Sequence, residues 1–194
     1  MKKRIIIALT GIIAALFVSY LVVLAKTESE IPFFNDVSFG SACDEIVSQF
    51  GEPITIEANK YDMGLTFYEY RFPVLNEEGE VQFAFAETGL GHVYIYWDLS
   101  SEEEANEMFN RIRQEIRDAF WWRIDFETYD SEVSSDYDSE VCKQTFGLTQ
   151  PNSARQIYYS VEKEGTTVFV RCLDYTGLNT GGNIGADLFA RQES

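Results

Sequence analysis

Apolar residues recur at three- and four-residue steps between Ser101 and Phe120. Ala105, Met108, Phe109, Ile112, Ile116, Ala119 and Phe120 fall on one face of a 3.6-residue period, which predicts one long amphipathic helix. Ser101 with Glu104 forms a capping box, and Glu102, Glu103, Glu104 and Glu107 precede Arg111, Arg113 and Arg117, the charge order a helix dipole favours. A shorter helix is expected over Ser41–Phe50, with Ser41 as N-cap and Cys43, Ile46, Val47 and Phe50 as its apolar stripe. Gly51 and Pro53 end it.

The rest of the patterning has period two. Thr66–Phe72, Val81–Ala86 and His92–Trp97 each alternate an apolar set with a second set, the signature of a strand with one buried face. Ile54–Ala58 is a weaker strand, and Gly79 and Gly89–Gly91 mark tight, antiparallel connections. Beyond the long helix, Trp121–Phe126 reads as a strand with Trp122, Ile124 and Phe126 inward. Val141–Phe146, Gln156–Glu162 and Thr166–Leu173 follow as strands, while the acidic, serine-rich Glu127–Glu140 reads as a loop. The predicted class is α+β: an antiparallel sheet with one short and one long helix packed on it, preceded by an N-terminal transmembrane or signal helix.

That N-terminal segment is Ile5–Ala25, 21 consecutive residues without a charge behind Lys2, Lys3 and Arg4. At about 1.5 Å per residue it can cross a hydrocarbon core of about 30 Å, and the basic cluster places everything after Lys26 outside the cell. Val23-Leu24-Ala25 also fits a signal-peptidase site, but the run exceeds a signal peptide's usual core, which favours a retained anchor over secretion. The expected organisation is 1–25 anchor or signal, 26–36 short spacer, 37–175 extracytoplasmic domain and 176–194 loosely held tail.

Charge narrows the partners. Removing residues 1–26 takes away four positive charges and no negative one, leaving 11 Lys/Arg against 32 Asp/Glu, a formal charge near −21. Such a surface repels phosphate backbones, so nucleic-acid binding is set aside. An aromatic content of 15% argues for a packed domain and against a disordered stalk.

Val37–Pro53 carries a resemblance. Phe39-Gly40, then Ile46-Val47, then Phe50-Gly51-Glu52-Pro53 is similar to the opening of small exported domains of the SmpA/OmlA type and of the β-lactamase-inhibitor-protein-like fold. In those families a glycine starts a helix, an apolar pair packs it on the sheet, and Gly-x-Pro turns the chain into the first strand. The second helix-plus-strands half is similar to the tandem form of that fold. Beyond residues 37–53 the likeness rests on element order. Two features depart from it: no lipid-attachment cysteine follows the apolar run, and the second half lacks the Gly-x-Pro turn. The resemblance implies a tendency to bind proteins and no catalytic residue.

Candidate chemistry is sparse. His92 is the single histidine, no Gly-x-Ser-x-Gly elbow exists, and Cys43, Cys142 and Cys172 follow no zinc or redox spacing. Cys43 and Cys172 fall on apolar faces, where a thiol is packing. If one disulfide forms, Cys142–Cys172 is the favoured pair, although a simple meander sets them at opposite ends of an intervening strand. Asp136, Asp138 and Glu140 bring alternate carboxylates together and are a weak alternative metal site, without the glycine and spacing of an EF-hand loop. No cofactor is expected.

The expected function is a non-catalytic extracytoplasmic domain, membrane-anchored or secreted, that binds a protein or a cell-envelope component. The alternative is an extracytoplasmic metal-dependent hydrolase using the acidic loop. The partner-binding residues are expected on the sheet face turned away from the long helix: Phe67, Arg71, Ala84, Tyr94 and Tyr96, with the alanines of the middle strand flooring a shallow apolar trough. A competing reading makes this face core, covered by the strands of the second half.

Overall fold

The period-two stretches pair into one sheet. The computed structural model describes residues 30–58, 64–121, 123–133, 140–149 and 156–174. A short hairpin of β1 (Glu30–Ile31) and β2 (Phe34–Ser38) leads into α1 (Cys43–Phe50). Four strands follow: β3 (Thr55–Ala58), β4 (Thr66–Val74), β5 (Glu77–Ala86) and β6 (Gly89–Asp98). The long helix α2 (Glu102–Phe120) then opens a second set, β7 (Ile124–Val133), β8 (Glu140–Thr149), β9 (Gln156–Glu164) and β10 (Thr167–Asp174). All of β3–β10 join in one antiparallel sheet of order β3-β4-β5-β6-β10-β9-β8-β7. The chain is thus a helix followed by a four-stranded meander, twice. The two last strands pair at the centre, with Ile95 opposite Val170.

The α+β class is corrected by this architecture. Strands dominate the described chain, and an eight-stranded antiparallel sheet is its main body, with only two helices on it. Two stretches account for the excess of strand. Glu127–Val133, expected as loop, lies in β7, because backbone pairing along β8 from Phe146 to Glu140 holds it even though the side chains of residues 127–131 are exposed on both faces. The expected spacer is structured from Glu30, since Ile31, Phe34 and Val37 are buried in the core. Among the described residues no helix is long and apolar enough to cross a membrane. The apolar run 5–25, Trp122, the loop residues 134–139, Tyr175 and the expected tail 176–194 lie outside the described residues.

Both helices and the β1–β2 hairpin pack on one face of the sheet. Ala105, Met108, Phe109, Ile112, Ile116 and Phe120 of α2 enter the core, whereas Ala119, expected on this stripe, is exposed. They meet Val81, Phe83, Val93, Ile95, Trp97, Val161, Val168 and Val170, all at most 1% exposed. Helix α2 starts on Ser101, whose Oγ accepts the Glu104 N–H at 3.2 Å, and the Glu104 carboxylate reaches back to the Ser100 N–H at 3.1 Å. The shorter helix is capped one residue later than expected, at Ala42, where the Glu45 carboxylate accepts the Ala42 N–H at 3.2 Å. Its Phe50 joins an aromatic cluster with Phe34, Tyr70, Phe72 and Phe83.

The three cysteines are free thiols. Cys142 sits opposite Lys163, and Cys172 sits opposite Tyr159, four residues further along β9. With strands about 4.8 Å apart and a rise of about 3.3 Å per residue, this puts the pair about 16 Å apart. A disulfide needs Cα atoms about 4.4–6.8 Å apart, so the favoured Cys142–Cys172 bridge is corrected. Burial pushes the Cys172 thiol far above its usual range.

Candidate functional site

The strand register assigns the opposite face residue by residue. One row runs from Phe67 through Ala84 and His92 to Leu173 and Tyr158. The next holds Glu69, Gln82, Tyr94, Arg171 and Ser160, and the third holds Arg71, Glu80, Tyr96, Phe169, Glu162 and Lys143. All five expected binding residues therefore share this face. Among the described residues the strands of the second half do not cover it; they continue the same sheet edge to edge through the β6–β10 pair.

The five are not equivalent. Phe67 and Ala84 are buried with Leu65 in a small cluster of their own, against which Ala86 and Tyr94 pack. The alanines thus do not floor an open trough; aromatic rings cover Ala84. Tyr94 and Tyr96 are half-buried, and Arg71 is exposed at 3.9 Å from both Glu78 and Glu80.

Two rings from opposite halves complete the arrangement. Phe169 stacks on Tyr96 with centroids 4.3 Å apart and planes 18° from parallel, and it lies 6.2 Å from Tyr94 at 5°. Phe67 stacks on Tyr94 at 5.9 Å. The Arg171 guanidinium lies 4.6 Å from the Phe169 ring centroid. These aromatic faces are turned to one another or to a cation, as cross-strand neighbours on a pleated surface tend to be. Glu162 ties the cations together, 3.0 Å from Lys143 Nζ and 3.6 Å from Arg171, and accepts from Ser160 Oγ at 3.0 Å.

His92 is 2% exposed, and its Nδ1 is 3.0 Å from the Tyr94 hydroxyl. Burial lowers its pKa to about 4, against a smaller opposing pull from Asp174. The buried ring is neutral at physiological pH and positions the Tyr94 hydroxyl. It does not meet the thiols of Cys142 and Cys172, which belong to the core on the helix side of the sheet. Among the described residues no group of three or more His, Cys, Asp or Glu side chains could hold a metal ion. Of the weak alternative metal site, Asp136 and Asp138 lie outside the described residues and Glu140 begins β8.

Sequence reasoning placed the first-half residues on this face but missed Phe169, Arg171, Glu162 and Lys143. Their own alternation was legible, since Phe169 and Arg171 interleave with Val168, Val170 and Cys172. The pairing of β6 with β10 that brings them beside Tyr94 and Tyr96 leaves no periodic trace. No protein-family model, curated protein or solved structure matches the chain.

Proposed function

We propose that this chain is a non-catalytic extracytoplasmic domain, held at the membrane by residues 5–25 or secreted, that binds another protein through the sheet face bearing Tyr94, Tyr96 and Phe169. The observation that carries this reading is the stacking of those rings on one another. A sugar is gripped by the flat face of an aromatic ring, and here the faces are engaged by neighbouring rings and by Arg171. Stacked rings flanked by paired charges suit a protein surface, where tyrosine and arginine combine apolar area with satisfied polar tips. The formal charge near −21 after Lys26 favours a partner with a basic contact surface. The twofold run of one helix and four antiparallel strands supports the likeness to the tandem β-lactamase-inhibitor-protein-like arrangement.

The test is quantitative cross-linking and co-purification of the full-length chain, compared with the Tyr96→Ala/Phe169→Ala double variant and with Glu102→Ala at the start of α2. Selective loss of one co-purifying protein in the double variant, with the fold intact by circular dichroism, supports the reading. Retention of every captured protein overturns it, as does saturable binding of a soluble glycan to this face.

A further inference from the structure

Where the chain arrives and where an exposed ring projects coincide at one end of the sheet. Glu30 pairs with Ser38, and two residues on, the Gly40 N–H donates to Leu90 O beside the β5–β6 turn. On the other half, Ile124 is opposite Leu148, Leu148 is opposite Ile157, and Ile157 is opposite Asp174, the residue after the His92 partner Leu173. Trp121, three residues before Ile124, therefore lies at the same end as Glu30 and Gly89. The opposite end carries Asn76, Ser100 and Gly165, about 33 Å away for strands of about ten residues.

Trp121 is 75% exposed, the most exposed of the large apolar side chains that lie on the surface. Between Ala25, the last residue of the apolar run, and Glu30 the chain spans at most about 18 Å when fully extended. We propose that the Trp121 end of the sheet faces the lipid bilayer, with the Trp121 indole seated among the headgroups and the strands running away from the membrane. This rests on the reading of residues 5–25 as a retained anchor. An indole combines a broad apolar ring with one N–H donor and favours the boundary between water and acyl chains. Asp44, Glu45 and Glu87, all exposed, belong to the same end and oppose close approach to anionic headgroups, so the ring rather than a charged patch makes the contact. The arrangement leaves the Tyr94–Phe169 face upright and open to a partner approaching from the side.

The experiment uses the full chain in phosphatidylcholine vesicles whose lipids are brominated near the headgroup, with flotation as the measure of anchoring. In a Trp122→Phe background, bromolipid quenching of tryptophan emission is expected and is largely lost when Trp121→Phe is added, which leaves the buried Trp97 as the emitter. A reporter at the far end, Glu164→Trp added to the Trp121→Phe/Trp122→Phe protein, should raise emission without restoring quenching. Protein that floats but is quenched equally with and without Trp121 overturns this orientation and leaves the anchor standing. Quenching of the Glu164→Trp reporter to the same extent also overturns it. Protein that fails to float overturns the anchor and the orientation together.

Discussion

The ring of Phe169 lies 4.3 Å from that of Tyr96, and this contact joins the two halves of the chain on the face away from the helices. Each ring comes from the last strand of its own helix-plus-meander unit, so the contact exists only because β6 and β10 pair. Stacked aromatic pairs contribute about 0.5–1.5 kcal/mol beyond the area they bury. A double-mutant cycle on Tyr96→Ala and Phe169→Ala, followed by urea denaturation, should return a coupling energy of that size. Additive single effects would mean that the two rings do not support one another.

His92 makes stability depend on pH in a defined window. Its pKa is lowered to about 4 from 6.5, so the unfolded chain binds the proton more readily than the folded one. Stability is complete above about 6.5 and declines as pH falls towards 4, with a full difference of about 3 kcal/mol between the limits. His92 is the only histidine, so His92→Gln should flatten the decline between about pH 6.5 and 5, above the range where ordinary carboxylates titrate. An identical pH profile for the two proteins would show that the ring is charged or exposed in the folded state.

The free thiols sort by burial. Cys142 and Cys172 are buried in the core, while Cys43 is half-buried on α1. Under non-reducing conditions a thiol reagent should titrate three groups after denaturation, and Cys43 ahead of the other two in the native protein. Finding only one thiol after denaturation would mean that two of the three are bridged and overturn their assignment as free.

The legible parts of this fold were those with one strongly buried face. Helix α2 declared itself through Met108, Phe109, Ile112 and Ile116, and strands β5 and β6 did so through Val81, Phe83, Val93 and Ile95. Strand β7 did so only over Ile124–Phe126 and not beyond, because an edge strand with most side chains in water shows no alternation. Its Phe126, expected inward, is 44% exposed, since the register shift between Ile124 and Phe126 carries it over Gly147 on the far face. The β1–β2 hairpin was hidden for a different reason. Ile31-Pro32-Phe33-Phe34 has neither period, and its reversal places Phe33 at a φ of 78°, which no residue preference announces. The candidate face was half legible: its first-half residues follow from alternation, and its second-half residues depend on a pairing between distant strands.

Core truncation should separate the two faces. Ile112 and Ile116 are fully buried under α2, and removing such a side chain to alanine costs about 2–5 kcal/mol. Tyr96 is half-buried on the other face and should cost less when truncated. Melting curves of Ile116→Ala and Tyr96→Ala read this directly; equal losses would mean that the Tyr96 face is packed as tightly as the core.

The backbones of Gly89 and Gly40 approach closely enough that a side chain at position 89 would have no room. Gly89 has a φ of +108°, and a Cβ built there would lie 2.4 Å from the carbonyl oxygen of Gly40. Two hydrogen bonds hold this junction, Gly40 N–H to Leu90 O at 2.8 Å and Leu90 N–H to Ser41 O at 2.9 Å. They fasten the start of α1 to the β5–β6 turn, so a methyl group at position 89 must separate the first helix from the sheet. Gly165 is the control: its φ is +55°, but a Cβ there meets nothing within 4 Å. Gly165→Ala carries only the conformational cost, about 1–2 kcal/mol. Gly89→Ala adds the clash and the loss of hydrogen bonds worth about 1 kcal/mol each. Thermal unfolding should therefore show a clearly larger drop in Tm for Gly89→Ala, accompanied by faster reagent access to Cys43 at the start of α1. Equal drops for the two variants would mean that the helix start is not fastened to the turn through Gly40.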